Sequence, residues 1–335
     1  MSSLSPKNIL IVKNRAMGDS VMGLSTISYI KSLYPQAKLY YAIPSWMTPL
    51  YKNVQIDADE IIPLDLKNLF GWWKLRKVLF NKSIDLIYEM HLSGRTEKFF
   101  KLYQKVYKIP YFSHNHHLKS GGKVFEQGKI KALIQRDLDG AWSHLDREGA
   151  YPSYLDFKPK MNLKVSFKNQ IILGVVATRE TKMWPLKHYV ELSHLISKNH
   201  PAARIIIPLS KSENDVKIQK ELEAMGLPKQ AVFIQDDLSE LPDTLSGSQL
   251  YIGNDTGLKH ICVALGIKTY TFFGPEPPLE WHPYNIEEHP YSYIDGLECR
   301  TRTHHYCGLH YCDSMICLNQ VTANETYKKI SDFLK

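Results

Sequence analysis

Asn254-Asp255-Thr256-Gly257, with His260 three residues further on, is the cluster in this chain best suited to holding a phosphate. An apolar run ends at Ile252, a turn follows, and a helix of small and apolar residues continues through Ala264 and Leu265. Such a turn gathers backbone N–H groups, a hydroxyl and the positive end of a helix around one point. Thr256 is placed to cap the helix, and Gly257 lets an anion approach the main chain closely. His260 lies one turn along the same face. The plain alternative is an ordinary N-capped helix.

Two other segments have chemistry of the same kind. Lys13-Asn14-Arg15-Ala16-Met17-Gly18-Asp19 sits where an apolar strand gives way to a helix. That is the carboxyl edge of a parallel sheet, where ligands of α/β proteins bind. Gly18 allows a tight turn there, and Asp19 either points into a cleft or caps the helix. Ala177-Thr178-Arg179-Glu180-Thr181-Lys182-Met183-Trp184-Pro185 follows the first strand of the second half. Its cations and hydroxyls can hold a diphosphate, Trp184 can pack on a ring or in the core, and Pro185 suits a first helical turn. Phe272-Phe273-Gly274-Pro275 adds a strand end and a proline-fixed loop bordering the same cleft.

The elements that position these segments follow from periodicity. Residues 8–12, 38–43 and 84–88 are strand-length apolar runs, and Val21, Leu24, Ile27, Tyr29 and Leu33 give one helical spacing that stops before Pro35. The second half repeats the alternation, with strands over 171–176, 203–208, 231–234, 249–252 and 269–273 and helices over 186–197 and 213–225. Strands alternating with helices predict parallel sheets covered on both faces. Two such series predict two Rossmann-like domains, 1–160 and 161–335, with a cleft between them. The polar stretch 152–168 is the linker.

Composition narrows the function classes. At 335 residues, 44% hydrophobic and 23% charged, the chain has the balance of a soluble globular protein large enough for two cores. Its apolar runs are too short to cross a bilayer. The start lacks a basic stretch followed by an apolar core, so the expectation is no secretory signal and a cytosolic protein. Residues 1–163 carry 24 Lys and Arg against 14 Asp and Glu, a net +10, whereas residues 164–335 carry 18 against 20, a net −2. The basic half is drawn to an anionic partner such as a membrane or an acidic glycan. Nucleic acid is not expected, because no helix-turn-helix, RNP or zinc-finger pattern accompanies the charge. G-x-G-x-x-G after the first strand and G-x-x-x-x-G-K-[ST] are both absent, which removes most NAD enzymes and P-loop NTPases.

In this order and spacing, Met17-Gly18-Asp19, Lys182-Met183-Trp184-Pro185, Asn254-Asp255-Thr256-Gly257 with His260, and Phe273-Gly274-Pro275 resemble the lipopolysaccharide heptosyltransferase family over nearly the whole chain. The resemblance implies the GT-B architecture: two Rossmann-like domains with parallel sheets facing across a cleft, acceptor on the first and nucleotide-sugar on the second. It implies an inverting transfer of heptose from ADP-L-glycero-D-manno-heptose to a hydroxyl of the lipopolysaccharide inner core or another lipid-linked acidic glycan. Asp19 then falls on the general base, which takes the acceptor proton as an oxocarbenium-like centre forms. Its place near a helix N-terminus weakens it as a base. Lys182, Thr178, Thr181, Asp255, Thr256 and Gly257 fall on the donor diphosphate, with His260 on phosphate or sugar and Glu213 on the nucleoside ribose. Lys13, Arg15, Gly18 and Arg95 fall on the acceptor side. A fixed cation and a helix N-terminus can do the work of a divalent metal, so no obligatory cofactor is expected. Arg15 and Met183 depart from the residues common in the family, and both bear on which sugar is accepted.

Two features lie outside that scheme. Cys299, Cys307, Cys312 and Cys317, interspersed with His304, His305 and His310, invite a zinc reading, but their spacing lacks the paired C-x2-C of structural sites. Reduced thiols packing a loop are the expectation, with Cys262 in the core. Residues 69–80, rich in aromatics and cations, suit either a membrane face or a half-buried helix of the first domain. His114, His116 and His117 are expected in solvent. A transferase using another nucleotide-sugar, or a non-catalytic nucleotide- or zinc-binding module, are the competing readings.

Overall fold

The computed structural model describes residues 5–115, 119–120, 123–124, 131–303, 307, 309 and 311–334. The strand-length apolar runs lack polar alternation, so each strand must be buried on both faces. Parallel sheets flanked by helices satisfy that requirement. β1 (Asn8–Val12), β2 (Lys38–Pro44), β3 (Glu60–Leu64), β4 (Leu86–Glu89) and β5 (Tyr111–Ser113) form one parallel sheet in the order β3-β2-β1-β4-β5. The two-residue strands β6 (Lys119–Ser120) and β7 (Lys123–Val124) pair antiparallel outside it. β8 (Gln170–Gly174), β9 (Arg204–Pro208), β10 (Ala231–Ile234), β11 (Leu250–Asn254), β12 (Lys268–Phe273) and β13 (Tyr291–Tyr293) form a second parallel sheet, ordered β10-β9-β8-β11-β12-β13.

Both orders are those of doubly wound folds, which reverse direction beside their first strand. The chain divides accordingly into two compact units, Met1–Lys160 and Met161–Lys335, and the division falls inside the polar stretch 152–168. In the first unit, α1 (Met17–Met22), α2 (Leu24–Leu33), α3 (Leu69–Asn81), α4 (Gly94–Tyr107) and α5 (Leu133–Leu145) flank the sheet. Leu10, Val12, Phe99 and Phe100 belong to one core cluster there. In the second, α6 (Leu186–Asn199), α7 (Glu213–Met225), α8 (Leu241–Leu245), α9 (Gly257–Ala264), α10 (Pro278–Trp281), α11 (Ile316–Asn319) and α12 (Ala323–Ile330) do the same. Trp184 anchors that core, fully buried and stacked on Phe272 with ring centroids 4.0 Å apart. Cys262 is buried in α9. No helix among the described residues is long and apolar enough to cross a membrane.

Three differences from the periodicity reading have physical causes. The single helix expected before Pro35 is two, α1 and α2, meeting at Gly23. A Cβ on Gly23 would lie 2.7 Å from the Tyr41 hydroxyl, so the close approach of helix to strand depends on glycine there. β3 was not anticipated because Pro63 interrupts it, which is tolerated only because β3 is an edge strand. β5 and β13, three residues each at sheet edges, are too short to give a periodic signal.

Candidate functional site

A doubly wound sheet binds ligands outside the carboxyl ends of its strands, at the point where strand order reverses. In the second unit that point lies between β8 and β11, which pair directly. The loop after β8 carries Thr178 to Pro185, and the turn after β11 carries Asp255 to Gly257. Asn254, fully buried at the end of β11, staples the two together. Its Nδ2 donates to the Val175 carbonyl at 2.9 Å, and its Oδ1 accepts from the Trp184 N–H at 2.8 Å.

Asp255 is buried at the centre of the charges. Its Oδ1 accepts from Lys259 Nζ at 2.5 Å and its Oδ2 from Lys182 Nζ at 3.2 Å. Burial alone would raise its carboxyl, but Lys259 and Lys182 outweigh that and hold it well below the usual carboxylate range. Lys259 is wholly buried; burial lowers its ammonium while Asp255 opposes the shift. Arg179 pairs with Glu276, whose carboxyl burial pushes up against the pull of Lys182 and Arg179. Lys182, Lys259 and Arg179 thus converge with Asp255 and Glu276 in one buried cluster. Fixed cations of this kind suit an anion.

Beside this cluster lies a cavity of about 460 Å³, of a size that suits a nucleotide-like ligand. Thr178, Arg179 and Glu180 form one wall, and Asn214, Lys217 and Glu221 of α7 form another. Spacings of three and four residues put those α7 side chains on a single helical face.

The structure corrects several roles expected from sequence. Lys182 turns to Asp255 rather than lining the cavity, although its side chain stays 16% exposed. The Thr181 hydroxyl is buried and donates to the Leu309 carbonyl at 2.9 Å, which removes it as a donor to phosphate. The Asp255 carboxylate is engaged by Lys182 and Lys259. Thr256 stands at the N-cap of α9, but its hydroxyl does not close the first turn. The amides from Gly257 onward therefore keep no side-chain cap of their own. His260 is core: buried, sharing a 2.5 Å hydrogen bond with Tyr284 through Nδ1, and held neutral by burial and by Lys259. Glu213 is exposed at the start of α7, outside the cavity, which Glu221 lines instead. Pro185 occupies the N-cap of α6 rather than its first turn. Lys259 was the residue given no role from sequence, while Asn254 and Arg179, read as parts of the motifs, act here as a link between loops and as the partner of Glu276. The four-residue spacing of Asp255 and Lys259 was the available signal.

In the first unit the reversal lies between β1 and β4. Asp19 occupies the first turn of α1, half-buried, while Ala16 is the N-cap. Gly18 is helical there and makes no special turn. Lys13 is corrected: sealed at 1% exposure, its Nζ donates to Asp137 Oδ2 of α5 at 2.6 Å, so no acceptor can reach it. Arg15 is half-buried and donates to the carbonyls of His91 (3.2 Å) and Leu92. It fixes the loop after β4, where His91 takes a left-handed φ of 57°. Glu89, buried at the end of β4, accepts from Tyr111 Oη at 2.6 Å and from Thr96; burial still pushes its carboxyl up. Arg95 is exposed in the first turn of α4. His114, expected in solvent, is packed against Tyr88 and Asp137; His116 and His117 lie outside the described residues.

The four late cysteines are free and half-buried. No group of three or more metal-ligating side chains forms among the described residues, and His304, His305 and His310 lie outside them.

Comparison with known proteins agrees with this arrangement. The lipopolysaccharide core heptosyltransferase OpsX of Haemophilus influenzae is 22% identical over 302 residues, covering 84% of this chain and 83% of that protein. The structure of Escherichia coli ADP-heptose lipopolysaccharide heptosyltransferase II superposes with a TM-score of 0.71 at 18% identity, covering 98% of both chains. The structure of E. coli heptosyltransferase WaaC with ADP gives 0.68 at 16% identity, covering 97% of this chain and 99% of that one. Both share the pair of parallel-sheet α/β units of the GT-B class. The model of glycosyltransferase family 9 (heptosyltransferase) matches residues 73–307, and the chain belongs to that family of glycosyltransferases.

Proposed function

We propose that the protein transfers heptose from ADP-L-glycero-D-manno-heptose to a hydroxyl of the lipopolysaccharide inner core, with inversion, at the cytosolic membrane surface. The observation that carries this reading is Lys182, partly exposed and sharing Asp255 with the buried Lys259, beside a nucleotide-sized cavity in the second unit. Departure of ADP places new negative charge on the β-phosphate. Lys182, fixed by Asp255 but not sealed, and the uncapped amides of α9 are preorganised to receive it. Because Lys182, Lys259 and Arg179 supply fixed positive charge, turnover needs no divalent metal. The WaaC relative solved with ADP supports an adenine nucleotide as the leaving group. Thr178, Lys217 and Glu221 are the cavity-wall groups available to its ribose and phosphates.

Asp19 takes the proton of the acceptor hydroxyl. A carboxylate in a first helical turn is stabilised as the anion, so proton transfer is late, after bond formation is advanced. Arg95, exposed in the first turn of α4, is an acceptor-side cation placed to meet an acidic core sugar or phosphate.

The test is incubation with ADP- and GDP-sugars and a truncated core acceptor, read by mass spectrometry with and without EDTA. A heptose adduct from the ADP donor, unchanged by EDTA, is the expected result. A product only with another donor overturns the sugar assignment. Asp19→Ala should abolish transfer while ADP still raises the melting temperature; transfer at the wild-type rate shows that the base lies elsewhere. Stabilisation by zinc but by none of ADP, UDP or GDP would replace the transferase with a metal-binding module.

A further inference from the structure

α3 and α4 of the first unit expose an apolar and cationic face that no part of the transfer chemistry uses. Only Leu75 and Leu79 of α3 are buried; Leu69 is 82% exposed, Phe70 70% and Trp73 52%. On α4, Leu102 and Val106 are exposed in the same way. Trp73, Arg76, Leu102 and Val106 line one open groove of about 220 Å³ between the two helices, floored by Phe99 and Tyr103. Phe70 stacks on Trp73 at 6.0 Å, Lys77 lies over the Trp73 ring at 5.6 Å, and Arg76 donates to Tyr107 Oη at 2.6 Å.

The charge around this face is predominantly positive. α3 carries Lys74, Arg76 and Lys77 with no acidic residue, and α4 adds Lys98, Lys101 and Lys105 against Glu97, which pairs with Lys101. Exposed aromatic and aliphatic side chains cost free energy in water, and cations of one sign repel each other. An anionic bilayer surface relieves both: rings enter the headgroup region, aliphatic stems follow, and ammonium groups stay among lipid phosphates. A folded protein partner would have to be acidic and apolar in the same patch, whereas anionic lipid supplies that combination everywhere.

We infer that the α3–α4 face docks the protein on anionic phospholipid, with Trp73 and Leu102 inserted and Lys74 and Lys105 on headgroups. Docking does not depend on which sugar is transferred, and vesicle binding is read without turnover, so its failure and that of the transferase reading are separable. The experiment is co-sedimentation of the full chain with phosphatidylcholine vesicles, with and without phosphatidylglycerol. Binding should require the anionic lipid, and Lys74→Glu/Lys105→Glu should weaken it at least about tenfold, since each cation near such a surface contributes appreciably. Trp73→Ala/Leu102→Ala should remove the fraction that survives high salt. Brominated lipid should quench tryptophan emission in the wild type, with most of that quenching lost in Trp73→Phe. Retained melting temperatures show that these exposed-site variants are folded. Equal binding to neutral vesicles, binding indifferent to both double variants, or a dimer dissociated by Leu102→Glu without any lipid would each overturn the assignment.

Discussion

Lys13 and Lys182 both follow the first strand of their sheets, Lys13 directly and Lys182 at the end of the loop after β8, and each meets one carboxylate far away in sequence. Lys13 is sealed with Asp137 at 1% and 2% exposure, and Asp137 also receives His114 Nε2 at 2.9 Å. Lys182 meets an Asp255 already matched by Lys259, and keeps 16% exposure. The first lysine completes a balanced, dry pair, which holds α5 to the sheet and has nothing left for a ligand. The second adds a charge to a pair already balanced, at the edge of solvent. Local charge balance and access, not residue type, separate a structural lysine from one available for chemistry.

The sharpest way to break this comparison is Lys13→Met. It leaves Asp137 buried without its ammonium and should cost about 3–5 kcal/mol in urea unfolding; a loss under about 1 kcal/mol would mean the pair is not sealed. Lys182→Met should instead slow transfer about 10²-fold, equivalent to about 3 kcal/mol of transition-state stabilisation, with a much smaller loss of stability. Equal stability losses in the two variants would erase the distinction.

The buried histidines behind Asp255 sharpen the picture of a dry second-unit core. Burial and Lys259 hold His282 down to about 3, and burial likewise keeps His260 well below its ordinary value. Below about pH 6.5 the unfolded chain binds protons that the folded chain refuses, so stability falls as pH drops. The slope is up to about 1.4 kcal/mol per pH unit for each histidine. His282→Gln should flatten that acid limb in thermal unfolding followed from pH 7.5 to 4.5; an unchanged slope would show that His282 is not held neutral. The smallest effect belongs to the cavity wall. Glu221→Gln should raise the ADP dissociation constant about fivefold by calorimetry, a change of about 1 kcal/mol, and Glu213→Gln should leave it unchanged.

Much of the fold was legible because its strands are apolar runs of the right length: β1, β10 and α7 match the expected bounds to the residue. The elements that were not legible are those whose stability comes from neighbours. β3 contains Pro63 and exists because β2 offers it an edge, and the break at Gly23 is set by Tyr41 from another element. The candidate site divides in the same way. Motif spacing brought the loop after β8 and the turn after β11 to one sheet edge, but could not say which side chains face outward. Thr181, His260 and Lys13 have the right chemistry and the wrong accessibility. Asn254 looks like part of a turn and is a bolt between two loops.

By itself, the amino-acid sequence determined the family, the pair of parallel sheets and the position of each motif at a strand end. Period, length and turn chemistry are local properties, and they are written residue by residue. Only the tertiary structure decided which charges cancel. Whether a lysine is spent or available depends on carboxylates that arrive from α5 or from β11 across more than seventy residues, and on how much water is left around them once they have met.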